Sequence, residues 1–190
     1  MNGSDASRPP EGGELWLERN LPALRAFIRL RMGPALSARE SSSDLLQSVC
    51  RELLQHRVDV EARGEPAMRA WLYTAALHKI QEKARFHRAQ KRDVGREEAP
   101  STDDDGELLS CYGHVVTPSR DLAAREQVAR MEAAFQKLSE REREIITLAR
   151  VAGLSHAEIA TQLAIGEDNC RQILRRGLVK LSGLLEQGEA

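Results

Sequence analysis

Residues 138–185 read LSEREREIITLARVAGLSHAEIATQLAIGEDNCRQILRRGLVKLSGLL, and this stretch decides how the second half of the chain folds. Capping boxes of the form S-x-x-E stand at 139–142 and 155–158, where each side chain can accept from the other residue's backbone N–H. Gly153 marks the helix end between them, because glycine tolerates the left-handed cap conformation. A short helix, a turn at 165–166 and a longer basic helix follow. They predict a helix-turn-helix, whose second helix enters the DNA major groove.

The longer helix has an apolar side and a cationic side. Its apolar stripe, spaced three and four residues apart, consists of Cys170, Leu174, Gly177, Leu181 and Leu184. The polar residues that lie off this stripe are Arg171, Gln172, Arg175 and Arg176. We expect the stripe to be buried and the polar residues to face outward.

The composition favours two small helical domains. The chain has 190 residues, of which 4% are aromatic and 30% charged, so one large aromatic-rich core is not expected. Its three cysteines are widely spaced and form no C-x-x-C pair, which argues against a disulfide framework or a zinc site and for a reducing compartment. Neither a signal peptide nor an apolar run of about 18 residues stands out. We therefore expect a cytoplasmic protein with no membrane insertion.

No pattern typical of a cofactor site or an active site is found. The five histidines lack metal-ligand spacing, and the chain has no glycine-rich phosphate loop. We interpret the acidic residues of 97–107 as part of a tether and not as a metal cluster. The sequence therefore predicts no metal, no cofactor and no catalytic residue.

The distribution of charge indicates nucleic-acid binding, although the formal net charge is only −1. Residues 79–92 carry six lysines and arginines against Glu82 alone, whereas residues 97–107 carry six acidic residues and no basic one. Local basic patches attract nucleic acid more effectively than total charge predicts. Phe86 and His87 lie among these cations, where a ring can stack on an unpaired base.

Helical periodicity and its interruptions divide the chain. We predict a disordered N-terminus at 1–13, a helical domain at 14–92, a flexible acidic linker at 93–118 and a second helical domain at 119–186. No segment shows a strand signal. The predicted fold class is all-α, with two small helical domains.

Three helices are expected in the first domain. The first ends at 33–34, and Pro22 allows a break or a kink inside it. The second follows the start signal at 41–44 and extends to about His56. The third opens at Pro66, buries its first part and becomes cationic toward its end.

The second half resembles two families of DNA-binding protein. Its L-S-E-R-E-R-E-I run, G-L-S-x-x-E-I-A motif and closing K-L are similar both to LuxR-type response-regulator domains and to region 4 of bacterial sigma factors. The first half separates the two. Residues 42–49 (SSDLLQSV) resemble the D-A-E-D-L-x-Q-E-V-F segment of sigma region 2, and residues 69–76 (RAWLYTAA) resemble its R-A-W-L-Y-x-I-A segment. Two domains without a middle domain resemble the extracytoplasmic-function (ECF) group of sigma factors.

This resemblance implies a non-catalytic subunit of RNA polymerase that directs promoter recognition and transcription initiation. The residues implied in binding core polymerase are Asp44, Leu45, Gln47 and Val49. Those implied at the −10 element are Trp71, His78, Lys79, Lys83, Arg85 and Arg88. Those implied at the −35 element are His156, Asn169, Arg171, Gln172, Arg175 and Arg176. The implied partners are core RNA polymerase, promoter DNA and an anti-sigma factor, and the chain is expected to be a monomer when free or bound to that factor.

The chain departs from the ECF pattern at several positions. Leu77-His78 replaces Arg-Asn, Glu167 and Asp168 open the recognition helix where Ser and Thr are usual, and Ile173 replaces a common arginine. Two alternatives are weighed. A LuxR-type helix-turn-helix regulator would need an α/β first domain, which this helical first half does not supply. The departures at Leu77-His78 and Ile173 keep open a divergent sigma-like interaction module with weakened promoter reading.

Overall fold

The computed structural model of the chain describes residues 11–61, 64–89, 105–113 and 124–187. Within these ranges the structure is helical and contains no strand, which confirms the all-α prediction. The helices are α1 (Glu11–Met32), α2 (Pro34–Ser37), α3 (Ser42–Glu61), α4 (Glu65–Ala89), α5 (Asp105–Tyr112), α6 (Ala124–Gln136), α7 (Glu140–Ile146), α8 (His156–Leu163) and α9 (Glu167–Glu186).

Helix α1 runs through Pro22 without a break. Asn20 does not cap a second helix there, because its side-chain amide donates to the Trp16 carbonyl one turn earlier (2.7 Å). The helix begins at Glu11, inside the stretch predicted to be disordered, and residues 1–10 lie outside the described ranges. Its second half is buried around most of its circumference, with five side chains at most 1% exposed: Leu24, Ala26, Phe27, Ile28 and Leu30.

Helices α3 and α4 pack against α1 and against each other. The Ser41 hydroxyl accepts from the backbone N–H of Ser43 (3.2 Å) and so caps the start of α3. Helix α3 continues beyond His56 to Glu61, so a part of the chain predicted to be looser is helical. Helix α4 has Pro66 in its first turn, as predicted. The buried side of α4 consists of Met68, Leu72, Tyr73, Ala75, Ala76, Leu77 and Ile80.

Helix α5 lies inside the segment predicted to be a flexible linker. Leu108 and Tyr112 are at most 1% exposed, and the Tyr112 hydroxyl donates to Glu132 Oε1 (2.8 Å). The helix packs against α1 and α6. This part of the segment is therefore a packed helix and not a flexible tether, because the side chains of Leu108 and Tyr112 are buried in the core. Residues 93–104 and 114–118 lie outside the described ranges.

Both predicted capping boxes are formed. The backbone N–H of Glu142 donates to Ser139 Oγ, the N–H of Ser139 donates to the Glu142 carboxylate, and residues 155–158 repeat the arrangement. Helix α7 continues as a π-helical turn over Thr147–Val151. The chain then reverses at Gly153, whose φ of 68° is the left-handed conformation that the sequence predicted.

The turn between α8 and α9 differs from the prediction. Its left-handed residue is Ala164 (φ 51°), whereas Gly166 has a φ of −70° and is the N-cap of α9. The N–H of Ile165 donates to the Ala160 carbonyl (3.0 Å) and closes the end of α8. Helix α9 approaches α7 closely at Gly177, where a Cβ would lie 2.9 Å from Ile146 Cδ1, so a larger residue would force that side chain to shift.

Helix α1 joins the two halves of the chain. Arg29 donates to both carboxylate oxygens of Glu132 (2.7 and 3.1 Å), and Arg31 Nη2 donates to Glu140 Oε1 (2.5 Å). The buried apolar residues of both halves form one continuous cluster. The described chain therefore has a shared core, whereas the composition favoured two small domains. The domain boundaries given above stay a prediction.

Replacing Glu140 by alanine should destabilise the fold, because the Arg31 side chain is only 3% exposed and would lose its carboxylate. Burial acts to raise the pKa of Glu140, but the charges of Arg31 and Arg143 outweigh it and lower that pKa. The carboxylate is therefore ionised at neutral pH. We expect the free energy of unfolding, measured in urea, to fall by about 1–3 kcal/mol.

The matched control is Glu65→Ala. Glu65 is also the first residue of its helix and also binds an arginine, but Arg69 is 33% exposed. Loss of such an exposed pair should lower the free energy of unfolding by less than about 1 kcal/mol. Equal losses in the two variants would show that burial of Arg31 adds nothing to its ion pair.

Candidate nucleic-acid interfaces

Helix α9 presents a polar face to solvent. Its other side packs against α6, α7 and α8 through the predicted stripe, in which Cys170, Leu174, Gly177 and Leu181 are buried and Leu184 is half-buried. Its exposed residues include Asn169, Arg171, Gln172, Arg175 and Arg176. Five of the six residues predicted at the −35 element therefore share one exposed helix, and the sixth, His156, is half-buried at the start of α8.

Two carboxylates at the start of α9 bind Arg171. Arg171 Nη1 donates to Glu167 (2.7 Å), and Nη2 donates to Asp168 (2.9 Å). Hydrogen bonding to Asp168 and the charge of Glu167 raise the pKa of Arg171. The sequence did not predict this cluster. It means that the two acids stand beside a cation and are not isolated negative charges at the DNA face.

Two departures from the ECF pattern prove to be partly or wholly internal. Leu77 is 6% exposed, and Ile173 is half-buried and packs against the hydrophobic core. His78 is exposed. The replacement of family arginines by Leu77 and Ile173 therefore changes the core and the edge of α9 more than the middle of either exposed face.

The C-terminal end of α4 carries the second cationic surface. His78, Arg85 and Arg88 are exposed, and Lys79 and Lys83 are partly exposed. Lys79 binds Glu52 of α3 (2.9 Å), and Lys83 binds Glu40 (2.9 Å). Lys79 and Lys83 are therefore held by ion pairs to residues outside α4, whereas Arg85 and Arg88 are exposed to solvent.

Glu40, between α2 and α3, holds the end of α4 in place. Its Oε1 lies 2.9 Å from Lys83 Nζ and 2.7 Å from His87 Nε2. Burial acts to raise the pKa of Glu40, but the hydrogen bonds from Lys83 and His87 outweigh it and lower that pKa. No sequence motif marks Glu40, because the three residues meet only in the folded chain.

Trp71 does not lie with the other residues predicted at the −10 element. It is half-buried near the start of α4, and its ring centroid is 6.1 Å from that of His56. Seventeen residues separate it from Arg88, which at the rise of an α-helix corresponds to about 25 Å. Trp71 therefore lies at the opposite end of the set from Arg88, two turns before His78, and it is less exposed than His78, Arg85 and Arg88.

Helix α3 exposes only part of the predicted polymerase-binding set. Asp44 and Gln47 are exposed, but Leu45 is 2% and Val49 1% exposed. These two side chains hold α3 in the core and do not form its outer surface, which corrects their assignment to direct contacts. The sequence did not single out Leu54 as a surface residue. It lies on the same side as Gln47, two turns later, and is 54% exposed.

The described residues contain no group of three His, Cys, Asp or Glu side chains that could hold a metal ion. Nor does any helix in these ranges have the length and apolar character needed to cross a membrane.

Comparison with known proteins shows similarity to sigma factors. A family model for sigma-70 region 4 matches residues 129–181. The RNA polymerase sigma factor CnrH of Cupriavidus metallidurans is 29% identical over 175 residues, which are 85% of this chain and 87% of CnrH. The ECF sigma factor SigD of Mycobacterium tuberculosis is 28% identical over 165 residues, which are 87% of this chain and 73% of SigD. Over most of its length the chain is therefore similar to sigma factors of the ECF group.

Two solved structures share the fold of this chain. RpoE of Bartonella quintana, in complex with the anti-sigma factor NepR, has a TM-score of 0.61 at 22% identity, covering 91% of this chain and 96% of RpoE. CnrH, in complex with the cytosolic domain of CnrY, has a TM-score of 0.56 at 21% identity, covering 92% and 87%. Both likenesses extend over the two halves of the chain.

Replacing Glu40 by glutamine should destabilise the folded chain at pH 7 by about 1–2 kcal/mol, because a half-buried charged acceptor is lost. The pKa of Glu40 is lowered in the folded state, so its contribution is present above the unfolded pKa and disappears as the pH falls through the folded pKa. The difference from the wild type in urea unfolding should therefore close on acidification.

The control for this experiment is Glu18→Gln, which neutralises an exposed glutamate of α1. It should follow the wild type at every pH. A Glu40→Gln deficit that is the same at neutral and at acid pH would rule out the ionised Glu40 carboxylate as its source.

Proposed function

We propose that this chain is an ECF sigma factor, which binds core RNA polymerase in the cytoplasm and directs it to promoters, where transcription starts. One observation carries the proposal: a single chain exposes two cationic helical surfaces, the end of α4 and the outer face of α9. Promoter recognition needs both a rigid helix for the duplex and a surface for the melted strand. The chain itself catalyses nothing, because bond formation belongs to the polymerase.

The outer face of α9 is proposed to contact the −35 element. With 3.6 residues per turn, Gln172 lies opposite the buried stripe, and Arg175 and Arg176 lie on either side of it. In the major groove this order would place an amide against base edges and a guanidinium near each flanking phosphate backbone. Asn169, one turn earlier, adds a second amide at the end of the helix that enters the groove first.

The exposed end of α4 is proposed to hold the −10 element. Arg85 and Arg88 extend from the last turns of the helix, where they can neutralise phosphates of the melted strand. His78 lies two turns before Arg85 on the same side of the helix. Glu40 fixes this end of α4, so that the cations do not have to be ordered when DNA binds.

The exposed side of α3 is proposed to bind core polymerase through Asp44 and Gln47. Leu54 extends this side with an apolar contact, which is typical of protein–protein interfaces surrounded by polar residues. We also propose an anti-sigma partner, because RpoE and CnrH were solved in complexes with NepR and with CnrY. The sigma factor would act as a monomer with either partner.

Transcription by a reconstituted holoenzyme tests the proposed function. The purified chain is added to core polymerase and genomic DNA, and the 5′ ends of the transcripts are mapped by sequencing. We expect starts at a defined set of positions that share two upstream sequence elements, and no such starts with core polymerase alone.

Two other results would contradict the proposal and support its alternatives. If the chain binds polymerase tightly but starts no transcripts, it is a sigma-like interaction module. If it binds duplex DNA as a dimer without polymerase, it is a regulator of the LuxR type. Leu77 is buried and Ile173 is half-buried, so neither change lies in the middle of a proposed DNA surface, which favours the sigma-factor reading over the first of these.

Reversing the charges of Arg85 and Arg88 should prevent promoter opening. The sequence also indicated Lys83 for this test, but a glutamate there would face Glu40 and disturb the fold. We expect Arg85→Glu/Arg88→Glu to reduce open complexes, measured by permanganate footprinting, by more than about tenfold, because phosphate contacts turn into repulsion. Binding to core polymerase should be unchanged.

The control variant is Arg19→Glu/Arg125→Glu. It changes the net charge of the chain by the same amount as the α4 variant, but its substitutions lie on α1 and α6. Both arginines are exposed and lie outside the proposed DNA surfaces. Normal opening by the α4 variant, or an equal defect in the control, would remove the −10 role from this end of α4.

A further inference from the structure

Asp168 is the most exposed member of the ion-pair cluster at the start of α9. Its side chain is 89% exposed, against 45% for Glu167 and 51% for Arg171. Arg171 Nη2 donates to Asp168 Oδ1 (2.9 Å), and no donor among the described residues binds the second oxygen, Oδ2. Asp168 therefore presents an unused hydrogen-bond acceptor to any ligand that approaches the start of α9.

The two carboxylates of this cluster lie on different sides of α9. Successive residues of an α-helix are about 100° apart around the helix axis. Asp168 comes four residues before Gln172 and so lies only about 40° from it, on the outer face of the helix. Glu167 lies about 140° from Gln172, toward the buried stripe. A ligand that contacts Gln172 therefore also meets Asp168, one turn earlier, but not Glu167.

Arg171 removes the electrostatic obstacle to placing Asp168 beside DNA. A lone carboxylate would be repelled by the phosphates, whose negative charge dominates the surface of a duplex. The guanidinium of Arg171 offsets one of the two acidic charges. With the exposed Arg175 and Arg176, this part of α9 carries three cations against two carboxylates. The surface as a whole therefore still attracts DNA, although it contains a carboxylate on its outer face.

We propose that Asp168 determines specificity at the −35 element, where its Oδ2 accepts a hydrogen bond from the exocyclic amino group of a cytosine in the major groove. This rests on the proposed function and deepens it by naming a base. An ionised carboxylate can only accept hydrogen bonds. At the major-groove edge cytosine presents an amino donor, whereas guanine and thymine present acceptors that repel a carboxylate. Adenine has a donor beside an acceptor and is the weaker match.

Transcription from a promoter library tests this proposal. Holoenzyme is given a promoter mapped as above in which the −35 element is randomised, and each template carries a barcode in its transcribed part. Sequencing the transcripts then gives the base preference at each −35 position. The wild type should prefer cytosine, on one strand and at one position, by roughly 5-fold or more. Asp168→Ala should lose this preference and keep the preferences at the other positions.

Asp168→Asn keeps the shape of the side chain and changes its hydrogen bonding. Because an amide both donates and accepts, it matches the adjacent amino group and N7 of adenine. The preferred base at the same position should therefore change from cytosine toward adenine. A loss of stability cannot produce this change, since unfolding lowers transcription from every template equally.

The matched control is Glu167→Ala. It removes a carboxylate of the same charge, which binds the same arginine from the same helical turn. Stabilisation of the helix N-terminus by an acidic residue is lost to a similar extent in Glu167→Ala and Asp168→Ala. Only Asp168 faces outward, however, so Glu167→Ala should keep the base preferences of the wild type.

Three results would overturn the inference. A wild-type holoenzyme without a cytosine preference at any −35 position would show that Oδ2 reads no base. A cytosine preference that persists in Asp168→Ala would assign it to another residue. An equal loss of preference in Glu167→Ala would mean that the two acids act only on the helix. If instead the wild-type holoenzyme starts no promoter-specific transcript, the proposed function itself fails, before any variant is compared.

Discussion

The whole structure depends on burying the second half of α1 between the two halves of the chain. Its apolar residues face helices on several sides, so this segment has almost no surface in water. At about 25 cal/mol per Å² of apolar surface, such burial is the main stabilising contribution available to a small helical chain. The same burial encloses Arg31, and an enclosed guanidinium needs a carboxylate. Glu140, from the second half, provides it. The Arg31 guanidinium and its counter-ion therefore come from different halves, and α1 joins the two halves.

The two candidate DNA surfaces are the parts of α4 and α9 that the core does not cover. Helix α4 is longer than the core that it packs against, so its buried side runs from Met68 to Ile80 and its last turns extend beyond the core with Arg85 and Arg88 exposed. Helix α9 is covered on one side by the other helices of the second half, and the side opposite its buried stripe remains free. The halves also touch near these surfaces, where the Gln162 amide of α8 donates to the Thr74 hydroxyl of α4 (3.2 Å). Both candidate interfaces are thus built on rigid, packed helices, which is the condition for positioning side chains against bases.

Local signals in the sequence predicted local structure well. The capping boxes, Gly153 and the stripe of α9 depend on residues a few positions apart, and all of them were predicted correctly. Contacts across the chain were not predictable in this way. The left-handed turn residue is Ala164, whereas Gly166 is the N-cap of α9. Glu40 is more than forty residues away from both Lys83 and His87, and no local pattern connects it with them. The packing of α5 depends on a groove between α1 and α6 that periodicity does not reveal, and likewise only the fold distinguishes an exposed Phe86 from a half-buried His87.

The most direct test of the account is a structure of the holoenzyme on an open promoter, determined by electron cryomicroscopy. The account predicts that α9 lies in the major groove at the −35 element with Gln172 toward the bases. It also predicts that the end of α4, with Arg85 and Arg88, contacts an unpaired strand at the −10 element. A complex in which either helix surface contacts only protein, or faces solvent away from DNA, would contradict it.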